Sequence, residues 1–184
     1  MQEVNGGVDA LLGEIRQAEK QGDRGKLAAI RRGFSDATAH YAWPYIAPYC
    51  DMTDECQRMV WLTVAATAAT LMPEGLERTN VGNMGATMRK IALGDGGGKK
   101  TDEALNSFEA RFRRLLSCQS TTELCRHLVR VIRAAVSKDK PIDVRKLFAD
   151  LRDWERRDVR LEWAQGYWVK EQGQKAEEVA ACAT

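Results

Sequence analysis

Three arginines, Arg126, Arg130 and Arg133, are the residues of this sequence most clearly arranged for chemistry. On a helix advancing about 100° per residue they fall within about 60° of one another. The apolar set Leu124, Leu128, Val131, Ile132 and Ala135 centres almost directly opposite. A helix here therefore buries one face and presents three guanidinium groups on the other. No Asp or Glu lies three or four positions from Arg130 or Arg133 within the helix, and Glu123 can pair only with Arg126. Like charges in neighbouring turns repel by roughly a few tenths of a kcal/mol per pair. A counter-charge from outside relieves that repulsion, and arginine's planar fork suits phosphate oxygens. The competing reading is a solvated face, or pairing with acids of another helix.

The distribution of charge extends the pattern. The net charge is only +2, but it is segregated. Residues 24–33 carry a net +4, residues 79–100 a net +3 and residues 111–133 a net +5. Acids dominate the stretches between them. Bases thus gather in three clusters, Arg24–Arg32, Arg89–Lys100 and Arg111–Arg133. A polyanion is the class of partner such clustering serves.

Other chemistries find little support. No G-x-S-x-G, H-E-x-x-H or G-x-G-x-x-G occurs, so no catalytic constellation is expected. Gly98-Lys99 invites a phosphate-loop reading, but Leu93 stands where a glycine is required, Lys100 stands in place of Ser or Thr, and no strand precedes it. His40 and His127 sit on predicted helices and are expected to be surface or satisfied buried residues. The five cysteines are odd in number and include no C-x-x-C pair. His40 with Cys50 and Cys56, or Cys118 and Cys125 with His127, match no zinc spacing, so reduced thiols, no metal and no cofactor are expected. Trp43, Trp61, Trp154, Trp163 and Trp168 follow helical spacing and are read as core rather than as base-stacking platforms. Acids such as Asp150 and Asp153 fall among bases and are read as surface pairs.

The elements that must position the arginines are all helical. Apolar residues recur at three and four: Val8, Leu11, Leu12 and Ile15; then Leu27, Ile30 and Phe34, with Asp23 as N-cap and Gly33 near the end. Thr53 to Met72 predicts a long apolar helix closed by Pro73. Met84, Met88 and Ile91 line the next, which ends at Gly94. Leu105, Phe108, Phe112, Leu115 and Leu116 follow, then the arginine helix. After Pro141, Asp143 is a predicted N-cap with Ile142 stapling to Leu147, ahead of Val144, Leu147, Phe148, Leu151 and Trp154. Val159, Trp163 and Tyr167 sit four apart on the last helix. No period-2 strand appears.

The fold expected is an all-α helical bundle of two small subdomains. Residues 1–93 form the first, residues 94–101 a Gly/Lys linker, residues 102–170 the second, and residues 171–184 a polar tail. The chain of 184 residues, 44% hydrophobic, has apolar material for one ordinary core or two small ones. No run reaches the roughly 18–20 apolar residues of a membrane span. The N-terminus lacks a signal pattern. A soluble, cytoplasmic chain with no membrane contact is expected.

Several segments together resemble the CasB family, the small subunit of the type I-E CRISPR Cascade complex. Arg24-Gly25-Lys26-Leu27-Ala28-Ala29-Ile30-Arg31-Arg32-Gly33 resembles its R-G-x-L-A-x-L-R-R-G segment. Asn83 to Ile91 resembles S-L-G-x-A-L-R-R-L, and Arg111-Phe112 with Leu115-Leu116 resembles R-F-x-x-L-L. Leu124, His127, Leu128, Arg130 and Ile132 match its arginine-bearing helix. Ile142-Asp143, Leu147, Asp150-Leu151 and Trp154 resemble I-D-W-x-x-L-x-x-D-L-x-x-W, with Val144 at the Trp position. Val159-Arg160, Trp163-Ala164 and Tyr167-Trp168 resemble V-R-x-x-W-A-x-x-Y-W.

The resemblance implies a non-enzymatic subunit that lies beside a second copy of itself and contacts the backbone and large subunits of Cascade. It implies contact with crRNA and target DNA, including the displaced strand, and stabilisation of the R-loop. By position it implicates Arg31, Arg32, Arg89, Lys90, Arg111 and Arg130, with Arg126 and Arg133 sharing the Arg130 stripe. Arg24, Lys26, Arg113 and Arg114 stand second, and Arg156 and Arg157, balanced by nearby acids, stand third. A stand-alone helical DNA-binding regulator and a helical protein–protein adaptor are the alternative readings.

Overall fold

The structure, a computed structural model, describes residues 2–71, 80–94, 101–156 and 158–169, with side chains from residue 6 onward except 101–107. Among the described residues every regular element is helical: α1 (Gln2–Lys20), α2 (Arg24–Arg31), α3 (Trp43–Ile46), α4 (Glu55–Thr70), α5 (Met84–Leu93), α6 (Thr101–Leu116), α7 (Thr121–Ser137), α8 (Val144–Asp153) and α9 (Val159–Trp168), with short 3₁₀ turns around α3. No described helix is long and apolar enough to cross a membrane.

Local sequence sets most boundaries. Asp23 accepts the Lys26 backbone N–H at 2.9 Å and opens α2. Asp54, Asn83, Ser120 and Asp143 do the same for α4, α5, α7 and α8. The long apolar helix expected over Thr53–Met72 runs Glu55–Thr70, because the cap is Asp54 and Leu71 is already extended. Pro73 and most of the expected glycine linker, residues 95–100, lie outside the described residues.

Helix α4 is the centre of the bundle. Every residue from Val60 to Ala69 is buried, as expected of a helix that is apolar all round. It is packed by α1, α2, α7 and α8. Its buried hydroxyls bond back along the helix, Thr67 Oγ1 to the Thr63 carbonyl at 2.6 Å. Residues from both sides of the glycine segment share one core, which runs from Leu11, Leu12 and Ile15 through Val64 and Met88 to Phe112, Leu128, Trp154 and Trp163.

Helices α5 and α9 cross so closely that the contact needs glycine on both. A Cβ at Gly85 would stand 1.9 Å from the Trp163 carbonyl oxygen, and one at Gly166 2.3 Å from Asn83 Oδ1. Asn83 also donates through Nδ2 to the Glu162 carbonyl at 2.7 Å. The aromatic core grows outward from this crossing: Trp154 lies 5.0 Å from Trp163, and Phe112 stacks on Tyr167 at 4.2 Å.

Two expectations are corrected here. Asp150, read as a surface pair, is fully buried and accepts the Trp163 indole N–H at 2.8 Å. Its position on α8 faces the core because the apolar stripe of that helix is wide enough to include it. Trp43 and Trp168, read as core, are 44% and 41% exposed. Helical spacing places a residue on a stripe but does not say whether a neighbour covers that part of it.

Candidate nucleic-acid interface

Helix α7 has the two faces its sequence predicts. Leu124, Leu128, Val131, Ile132 and Ala135 are buried, and Arg126, Arg130 and Arg133 are exposed. The three arginines nevertheless meet three different surroundings. Arg126 forms ion pairs with Glu55 at 3.2 Å and Asp36 at 3.6 Å, both brought in from the first half of the chain. Pairing of Arg126 with Glu123, expected from their spacing, is not what forms. Glu123 instead accepts the Gln119 backbone N–H at 3.0 Å, because the chain folds back over the start of α7. Arg133 lies over the Phe34 ring at 6.0 Å. The Arg130 side chain makes no hydrogen bond or ion pair with any described residue.

Arg130 opens instead onto a groove of about 320 Å³ between α6 and α7. Phe108, Leu115, Val131 and Ala134 give it an apolar floor, and Arg111, Arg114, Arg130 and His127 line it with nitrogen. Arg111 is held over the Phe108 ring at 5.2 Å. No carboxylate is among the described residues that line the groove, and the side chains of Arg111 and Arg114 likewise form no hydrogen bond or ion pair with the described residues. Three exposed guanidiniums, with no described carboxylate paired to them, thus converge on one concave surface, with donors that fit phosphate oxygens.

The other basic positions are spent differently. In the first cluster, Arg24 is exposed. Lys26 pairs with Glu14 at 3.0 Å, and Arg31 donates to the Ala69 carbonyl at 2.7 Å, tying α2 to the end of α4. Arg32 lies over the exposed Tyr41 ring at 4.3 Å. In the second cluster, Arg89 donates to the Tyr167 carbonyl at 2.8 Å and Lys90 to the Val81 carbonyl at 3.1 Å. Both are half-buried, and they fasten α5 to its surroundings. Arg113 pairs with Glu109 and lies over Trp168. Arg156 lines a second cavity, of about 560 Å³, with Tyr49, Trp61, Phe148 and Arg152. Arg157, Lys99 and Lys100 lie outside the described residues.

Sequence reasoning did not place His127 or Phe108 in a site. The signal was their spacing. Phe108, Arg111 and Leu115 recur at three and four on α6, and His127, Arg130, Val131 and Ala134 on α7. What was illegible is that these two strips face each other. Burial pushes the Cys125 thiol up to about 12, with its hydrogen bond to Thr63 working the other way. The four cysteines at described positions are free.

Comparison with known proteins narrows the reading. A family described as CRISPR-associated protein Cse2 matches residues 26–168. A chain from a solved structure described as a CRISPR RNA-guided surveillance complex has the same fold, with a TM-score of 0.68 over 98% of this chain and 99% of that one, at 24% sequence identity. No curated protein matches the chain.

Proposed function

Because the chain belongs to the CRISPR-associated Cse2 family, we propose that it acts as a non-catalytic small subunit of a type I-E Cascade surveillance complex, holding nucleic-acid backbone through the α6–α7 groove. The observation that carries this reading is the convergence of Arg111, Arg114 and Arg130 with no carboxylate among the described residues that line the groove. Exchange of a DNA duplex for an RNA–DNA hybrid is close to energetically balanced, so modest contacts to the backbone tip it toward the open R-loop. Such contacts are electrostatic and read no sequence. Sequence selection then belongs to the guide. The polyanion is crRNA, target DNA or the displaced strand.

Partner subunits, including a second copy of this chain, need apolar surface as well. Leu161, Trp168 and Val169 on and just after α9 are exposed large apolar residues, and the adaptor part of the role falls to them. The complex operates in the cytoplasm.

The test is the salt dependence of nucleic-acid binding by the assembled complex. Replacing Arg111, Arg114 and Arg130 together by alanine flattens the slope of log affinity against log salt by about one unit for each phosphate that is no longer neutralised. An unchanged slope removes the groove from the interface. Sequence-selective binding by the isolated chain would instead favour a stand-alone regulator.

A further inference from the structure

The turn between α6 and α7 brings together three side chains that the sequence kept apart. Cys118 Sγ, a Glu123 carboxylate oxygen and a His127 ring nitrogen lie within 4.8 Å of one another. The spacing pairing Cys118 and Cys125 with His127 fits no zinc pattern, and in the fold Cys125 is buried toward Thr63 instead. Glu123 takes its place, one helical turn before His127 on the same face of α7.

The frame under these side chains is fixed. The Cys118 carbonyl accepts the Trp154 indole N–H at 3.1 Å and an Arg160 N–H at 2.9 Å. The Glu123 backbone N–H is held by the Ser120 cap. The thiol itself donates to the Arg114 carbonyl at 3.4 Å, and Glu123 Oε2 accepts from Gln119.

We propose that Cys118, Glu123 and His127 form a binding site for a zinc-class divalent metal ion that clasps the end of α6 to the start of α7. Thiolate, imidazole and carboxylate are the donor types zinc takes, and three protein ligands with an open fourth position are a known coordination. Magnesium and calcium are disfavoured, because they demand oxygen donors. As the metal–sulfur bond forms, the thiol releases its proton to solvent. Thiolate and carboxylate together cancel the dication, so the centre is formally neutral and tolerates Arg114 and Arg160 beside it. Of the three ligands, His127 also lines the groove. This site does not depend on the groove binding nucleic acid.

The full chain, stripped with chelator and kept reduced, is titrated with cobalt(II) and then zinc. The expected result is one equivalent of cobalt with thiolate charge-transfer absorption and tetrahedral d–d bands, displaced by zinc. Cys118→Ser loses the charge-transfer band. Glu123→Gln, whose amide oxygen still accepts from Gln119 and so keeps the turn, loses the rise in Tm that zinc gives the unaltered chain. Absence of the band in the unaltered chain overturns the proposal. So does a band that survives Cys118→Ser, or a zinc-induced rise in Tm that survives Glu123→Gln.

Discussion

The carboxylate of Asp150 receives the indole N–H of Trp163 at 2.8 Å in a fully buried position. It also pairs with Lys146 at 2.8 Å, and Lys146 reaches on to Glu162 at 2.8 Å. This chain of contacts joins α8 to α9 beneath the aromatic core. Burial raises the Asp150 pKa, against the pull of Lys146 and Trp163. A buried carboxylate of this kind is tolerated because its partners are in place.

Removing the acceptor strands a buried N–H. Asp150→Ala is expected to cost about 2–3 kcal/mol. Asp150→Asn keeps an oxygen for Trp163, and Lys146 retains Glu162, so its cost is about 1 kcal/mol. Urea unfolding followed by tryptophan fluorescence separates the two. Equal costs would mean that the indole hydrogen bond contributes nothing.

The α5–α9 crossing predicts a large effect from a single methyl. Gly85→Ala would place a carbon 1.9 Å from the Trp163 carbonyl oxygen, which is backbone and cannot swing aside. The expected destabilisation is about 3 kcal/mol or more. Gly13→Ala, with nothing near its Cβ position, lies within a helix and is expected to be neutral or slightly stabilising. Thermal unfolding of the pair checks the contrast.

The stripe on α7 divides by function. Arg126 is half-exposed and already paired with Glu55 and Asp36, so Arg126→Ala costs under about 1 kcal/mol of stability and leaves the salt slope of nucleic-acid binding unchanged. Arg130→Ala leaves stability unchanged and flattens that slope by about one unit. Measuring both variants in the assembled complex at several salt concentrations tests this division, and equal slopes for the two would refute it.

Stability is expected to fall as pH rises above about 9. The Cys125 thiol gives up its proton near its ordinary value of 9.0 in the unfolded chain but holds it to about 12 in the fold, because burial disfavours the thiolate. Between those values the folded state binds more protons than the unfolded, so each step upward in pH favours unfolding. Tyr49, raised to about 12 by burial and by its hydrogen bond to Glu14, acts in the same direction from about pH 10. Lys146 does too: burial works to lower its pKa, but Asp150 and Glu162 raise it on balance, so its stabilising charge is lost at high pH. Cys125→Ala should make the alkaline decline shallower in urea titrations between pH 8 and 10.5, at some cost in packing at neutral pH.

The sequence by itself determined the local features of this protein. The caps at Asp23 and Asp143, the apolar and basic faces of α7, and the exclusively helical character of the described elements all follow from residues within a turn or two of one another. Helix propensity, capping and amphipathic period act over that range and are written directly in the chain. Which arginines remain available was decided by the tertiary structure. Arg126 and Arg130 are four residues apart and equivalent by period, yet one meets Glu55 from 71 residues away and the other faces Arg111 and Arg114 across a groove. The burial of Asp150, the exposure of Trp43 and the meeting of Cys118, Glu123 and His127 were settled in the same way. A side chain's environment is the sum of every element packed around it, and the contacts that compose that sum are distant in sequence.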